Sequence, residues 1–268
     1  MKYISASQLT LYADCSLKHR FRYIDKIKKP SESIHLAYGS AIHKALENLN
    51  LSLLTSKNHL EDVYQDFHDE WHKELLEQNI HGNWYEKTLY EMGLNALENY
   101  YNDNIDYDVI GAEIKFDVPI IYPDGTKEKR NLYGLIDVVI LRKNQLMIVD
   151  YKTSKEPYSK FIIDTSLQLA IYSYAFRYLL KNKLIDLGKI KKEKEDYISY
   201  YVLLKDYESL NGKIKMQRKK ITDKQYNKMF YTIKTTLKGI KNEIFIPNYN
   251  SMCKWCEYRQ EECLNFEG

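Results

Sequence analysis

Proline and glycine are scarce in this chain, five and ten residues among 268. No Pro/Gly-rich boundary, low-complexity linker or internal repeat divides it, so a string of small modules is not expected. Long apolar runs are missing too. LYGLIDVVIL (132–141) is among the longest and falls well short of the roughly 20 residues a membrane helix needs. The opening MKYISASQLTLYADC lacks the apolar h-region of a signal peptide, and a cytoplasmic location is the expectation. There is no G-x-x-x-x-G-K-[ST] phosphate loop, so the chain has no helicase motor of its own, and no nucleophilic Ser-His arrangement competes for a role. The excess of positive charge is small, +3, too little to establish a nucleic-acid partner by itself.

What is present suits an ordered chain. Hydrophobic residues make up 44% and charged residues 29%, enough for a substantial core under a solvated surface. Positive charge is clustered in KNKLIDLGKIKKEKED (181–196) and GKIKMQRKKITDK (212–224). Such runs either track phosphates or form a solvated loop and helix face. The 25 tyrosines either stack on bases or reflect a composition bias shared with Lys, Asn and Ile.

Periodicity predicts helices, then a sheet, then helices. SASQLTLYADCSLKHRFRYID (5–25) offers a serine cap and helical spacing. YGSAIHKALENLNLSLL (38–54) is a second helix. Residues 58–79 and 83–103 give two amphipathic helices separated at Gly82. From Val109 the period changes: Ile110, Ala112, Ile114, Phe116, Val118 and Ile120 alternate with Gly111, Glu113, Lys115 and Asp117, which marks a half-buried strand. PDGT (123–126) is a hairpin turn. LYGLIDVVILR and QLMIVDYKTS are further strands, TSLQLAIYSYAFRYLLK a helix and DYISYYVLLKD a strand. A last helix spans about 222–242, capped by Thr222 or Asp223.

Chemistry concentrates where LMIV runs into DYKTS. Asp150 and Lys152 lie two apart on a strand and share a face, with Tyr151 turned away. If Lys143-Asn144 forms a two-residue turn, Asp137 falls opposite Asp150. Like charges placed there, roughly 5 Å apart, repel unless a cation sits between them. Mg²⁺ or Mn²⁺, which prefer oxygen ligands, are the natural candidates. A loop one residue longer would set the acids on opposite faces. On spacing alone an ordinary ion pair stands beside the metal-site reading.

GLIDVVILRKNQLMIVDYKTS resembles the core motif of the PD-(D/E)XK nuclease superfamily, with Asp137, Asp150 and Lys152 in its signature positions. GSAIH (39–43) is similar to the G-x-x-x-H pattern of the RecB-like branch, giving His43. QLAIY (168–172) matches that branch's glutamine and tyrosine four apart, giving Gln168 and Tyr172. Cys15 with CKWCEYRQEEC (Cys253, Cys256, Cys263) resembles the four-cysteine iron–sulfur arrangement of AddB-type subunits and CRISPR-associated RecB-like exonucleases. The spacing C-x2-C-x6-C by itself suits zinc better than a [4Fe–4S] cluster; the resemblance reverses that order.

The resemblance implies an α/β fold: a restriction-endonuclease-like mixed sheet flanked by helices, with an N-terminal helical elaboration and a four-cysteine cluster joining the chain ends. It implies a single domain, with the helical part about 1–105, the nuclease core about 106–206 and the C-terminal helix with the cysteines about 212–268. Metal ligands would be His43, Asp137, Asp150 and the Tyr151 carbonyl. Lys152, Gln168 and Tyr172 would serve catalysis, and Glu113, on the polar face of the first core strand, either reaches the metals or is a solvated glutamate. The activity implied is Mg²⁺- or Mn²⁺-dependent hydrolysis of DNA, by an exonuclease acting on single-stranded or end-containing DNA. The alternatives are a flap or processing endonuclease, or a DNA-binding nuclease subunit dependent on a helicase, integrase or other recombination partner. Arg20 and Arg22 are either DNA contacts or ordinary helix-surface arginines.

Overall fold

The structure, a computed structural model, describes residues 2–28, 33–55, 59–80, 84–103, 107–142, 145–185, 197–206 and 211–266. The chain forms two compact units interleaved in sequence. A central unit holds Glu32–Phe116 and Leu135–Ile221; a terminal unit holds Met1–Ser31, Asp117–Gly134 and Thr222–Gly268.

Three long helices open the central unit: α3 (Ile34–Leu53), α4 (Leu60–Glu77) and α5 (Trp84–Asp103). Labels α1 and α2 go to Ala6–Asp14 and Ser16–His19 of the terminal unit. On α3 the buried residues Ala37, Tyr38, Ala41, Ile42, Ala45, Leu46 and Leu49 recur at helical spacing. Val63, Phe67, Trp71 and Leu75 form one stripe on α4. Each stripe buries apolar area, which stabilises by about 25 cal/mol per Å². His59 and Asp62 close a capping box at the start of α4. Gly82, the expected break between α4 and α5, lies outside the described residues.

The strands follow: β1 (Tyr3–Ile4), β2 (Tyr107–Ile121), β3 (Lys127–Arg142), β4 (Gln145–Ser154), β5 (Tyr197–Asp206) and β6 (Asn211–Lys219). Their order is β1-β3-β4-β5-β6, with β2 also paired to β3. Antiparallel register between β3 and β4 runs from Arg142/Gln145 to Val138/Val149. β4 pairs parallel with β5, and β5 antiparallel with β6. Leu146 through Tyr151 are all buried, as expected of a central strand covered on both faces. After it come α6 (Lys160–Thr165) and α7 (Leu167–Lys181).

In the terminal unit Tyr3 and Ile4 pair parallel with Asn131 and Leu132. PDGT turns as expected, with Gly125 at φ 84°, a left-handed conformation glycine adopts at little cost. α8 (Asp223–Lys241) is capped by Thr222 with Gln225.

Three expectations are revised. The helix expected over 5–25 breaks at Cys15, which is extended (φ −159°, ψ 104°) between α1 and α2, and it ends in a π-helical turn, Arg20–Ile24. The alternation of β2 is interrupted at Glu113, φ 51°, and Val109 and Ala112 both pack on the central core. The basic run 212–224 is neither loop nor helix face through residue 219 but the strand β6. The other basic run lies outside the described residues from 186 to 196, as does the expected turn Lys143-Asn144.

Candidate active site

β4 carries Asp150 and Lys152 out of the core together. Asp150 is 2% exposed, and the Lys152 ammonium closes an ion pair on its Oδ2. The β3–β4 register is the one that brings Asp137 toward Asp150, although the ladder ends one step earlier, at Val138/Val149. Asp137 Oδ2 instead accepts the backbone N–H of Tyr151 at 2.9 Å. From α3, His43 Nδ1 stands 3.7 Å from the same oxygen. The His43 ring also donates to the Tyr151 carbonyl. α7 contributes Gln168, whose amide donates to Asp150 Oδ1 at 2.9 Å and to the Tyr172 hydroxyl at 3.0 Å. A spacing of four residues places Gln168 and Tyr172 on one helical face.

The electrostatics are those of a carboxylate pair short of positive charge. Burial pushes the Asp150 carboxyl up to about 6; Lys152 opposes this and Asp137 adds to it. Asp137 is raised as well, by burial, against the Tyr151 N–H and Lys152. His43 lies below the usual imidazole range because its surroundings penalise the cation, offset by Asp150. The shift favours the neutral ring, the form that binds metal. Glu113 is pushed up to about 7 by burial, then by Glu47 and Asp137.

The structure thus gathers His43, Asp137, Asp150, Tyr151, Lys152, Gln168, Tyr172 and Glu113 in one region of the central unit. Among the described residues, no three His, Cys, Asp or Glu side chains are arranged to hold a metal ion as they stand; Lys152 and Gln168 engage the carboxylate of Asp150. The donor set itself suits a hard divalent ion: the buried Asp150, the part-buried Asp137, an imidazole and a carbonyl. Two neighbours escaped the sequence reading. Glu47, one turn after His43, acts on Glu113; its i, i+4 spacing from His43 was the available signal. Tyr158 senses both Lys152 and Asp150, and Gln217 of β6 pins its backbone with bonds of 3.0 and 2.7 Å.

The four cysteines meet in the terminal unit. All are free and half-buried, and they line one cavity of about 970 Å³. Burial raises the Cys263 thiol, and Cys15, Cys256 and Cys253 follow as causes. Asn250 donates its N–H to Cys253 Sγ at 3.4 Å. A single zinc ion would need the sulfurs roughly 4 Å apart, and no such group exists among the described residues. A ready-made cage for an iron–sulfur cluster is not evident either.

Comparison with known proteins bears on the family and the fold. The family model described as the PD-(D/E)XK nuclease superfamily matches residues 3–260. A solved structure from Eubacterium rectale, named a "putative exonuclease", aligns with 97% of this chain and 88% of its own at 13% identity, TM-score 0.57. That likeness concerns the fold. The structure of SSO0001 aligns with 80% of this chain and 92% of its own at 16% identity and TM-score 0.35, a likeness on which nothing rests. No curated protein matches the chain.

Proposed function

The chain belongs to the PD-(D/E)XK nuclease superfamily, and from that premise we propose that it is a Mg²⁺- or Mn²⁺-dependent deoxyribonuclease of the RecB-like branch, acting as an exonuclease on single-stranded or end-containing DNA. One observation carries the reading: Asp137, Asp150, Lys152 and His43 converge from a hairpin and a helix, with Gln168 bonded to Asp150. His43, Asp137, Asp150 and the Tyr151 carbonyl would hold the ion. Bound there, it supplies charge that stabilises the oxygens of the phosphoryl centre and eases ionisation of the attacking water.

The chain's own groups do the rest. Lys152 exchanges Asp150 for the charge developing on the phosphoryl oxygens, a cation placed beforehand where negative charge builds. Gln168 fixes the rotation of the Asp150 carboxylate and, through Tyr172, its own. The products are a 5′-phosphate and a free 3′-hydroxyl. The four thiols line one cavity, and the resemblance to the iron–sulfur branch favours a [4Fe–4S] cluster over zinc there. Protein purified without oxygen is then brown, with iron and not zinc in stoichiometric amount.

The decisive experiment incubates end-labelled single- and double-stranded DNA with Mn²⁺, Mg²⁺ or EDTA. Asp150→Ala and Lys152→Ala should abolish cleavage while DNA binding persists, because each removes transition-state stabilisation and not phosphate tracking. Full activity in Asp150→Ala at saturating metal would sink the assignment.

A further inference from the structure

Beneath the active site lies a polar cluster that the mechanism above does not use. The Tyr151 side chain points away from Asp150 and Lys152 into the core and is 1% exposed. Its hydroxyl meets that of Tyr100, on α5, at 2.6 Å and accepts the amide N–H of Asn50, on α3, at 2.8 Å. Asn50 is fully buried. Its amide also donates to Leu46 O at 2.6 Å, whereas its Oδ1 has no hydrogen-bond partner among the described residues. For stability this is a poor choice of residue. A buried amide with an unmatched acceptor costs about 1–3 kcal/mol, and an apolar side chain of similar size would avoid that cost.

The placement gives the reason. Asn50 follows His43 by two helical turns on α3, so both lie on the face turned to β4. Tyr151 sits between the two active-site residues of β4, touches the site through its backbone and is held in the core by its hydroxyl. Its N–H goes to Asp137, its carbonyl takes the His43 ring and its hydroxyl is gripped from α3 and α5. The His43 and Tyr151 rings meet edge to face at 6.2 Å. We propose that the Asn50–Tyr151–Tyr100 cluster is a positioning device for the catalytic centre, fixing the β4 segment Asp150–Lys152 against the helix that presents His43. The inference rests on the nuclease reading. Side chains that orient metal-holding groups from behind typically alter metal affinity or activity by about 10–100-fold.

Asn50→Leu and Tyr151→Phe separate positioning from packing. Asn50→Leu removes the grip together with its unmatched acceptor, so its thermal midpoint should equal or exceed that of the wild type. Isothermal titration should nevertheless show Mn²⁺ binding about tenfold weaker. Cleavage should lose kcat by a similar factor, with KM for DNA unchanged. Tyr151→Phe keeps the ring and should repeat the loss in Mn²⁺ affinity. Wild-type Mn²⁺ affinity and kcat in both variants, whatever their stability, would overturn the proposal. A wild-type chain that binds Mn²⁺ but cleaves nothing refutes the nuclease reading alone, since the Mn²⁺ affinities still decide this one. A wild-type chain without Mn²⁺ binding overturns both.

Discussion

At Glu113 a strand residue takes a left-handed backbone, φ 51°, and its carboxyl is pushed up to about 7, by burial first and then by Glu47 and Asp137. Without metal, ionising it opposes folding. The folded chain keeps a proton that the unfolded chain, near the ordinary value of 4.5, has released, so stability falls as pH rises from the lower value through the higher. Glu113→Gln removes that dependence. In EDTA it should match the wild type near pH 4 and exceed it by about 2 kcal/mol at pH 8, discounted for partial exposure. Urea melts at the two pH values check this, and an equal difference at both would exclude ionisation as the cause. Strand alternation and register made the meeting of Asp137, Asp150 and Lys152 legible in the sequence, whereas His43, Gln168 and Tyr172 became candidates only through the motifs GSAIH and QLAIY that resemble the RecB-like branch. Glu47 was not legible, since a glutamate three residues after Lys44, and paired with it at 3.0 Å, reads as an ordinary solvated helix pair. Nor was the turn of the backbone at Glu113, which a non-glycine residue does not announce.

Where α4 and α5 cross, the contact is closer than a methyl group allows. A Cβ on Gly93 would lie 2.3 Å from Phe67 Cζ. That ring has no room to withdraw, being fully buried and stacked on Trp71 and Tyr90. Alanine ordinarily favours a helix over glycine by about 1 kcal/mol, but overpacking costs about 1–3 kcal/mol. Gly93→Ala should therefore lower the thermal midpoint, and Phe67→Leu in the same chain should restore part of it. A raised midpoint in the single variant would mean the helices separate freely. The elements themselves were readable wherever one face is apolar, as on α4 or β4. They were not at Cys15, where one helical pattern runs through a break that the periodicity does not announce. β6 was missed too: its lysines and arginine hide a strand whose pairing with β5 is set by the fold. Tyr158 shared that fate, because the residue that pins it, Gln217, belongs to β6.

On the scale of the whole molecule, the terminal unit exists only if chain segments some 230 residues apart meet. Protein contacts already join them. Ser16 Oγ donates to Ile246 O at 3.2 Å and accepts Ile246 N–H at 2.6 Å. Tyr12 donates to Ile244 O at 2.6 Å, Asn248 to Asp14 O at 2.8 Å and Tyr258 to Ile27 O at 2.9 Å. The cysteines sit among these bonds, so a cluster held by them would close the same loop a second time. Loop-closure entropy grows with the logarithm of length and is incurred once, so two closures of one loop are not additive. Cys15→Ser alone should lose the brown chromophore and part of the thermal stability while the ends stay joined. Ser16→Ala alone should cost about 1 kcal/mol, the usual worth of a neutral hydrogen bond. Together they should loosen the C-terminal segment, still tied by Tyr12, Asn248 and Tyr258, and trypsin should then cut at Lys254 and Arg259 faster than in either single variant. If the double variant resists trypsin as the wild type does, the contacts of Ser16 and Cys15 are not what holds the ends. If Cys15→Ser keeps its colour and its iron, Cys15 is not a ligand, and the three cysteines of the tail bind the cluster with another group.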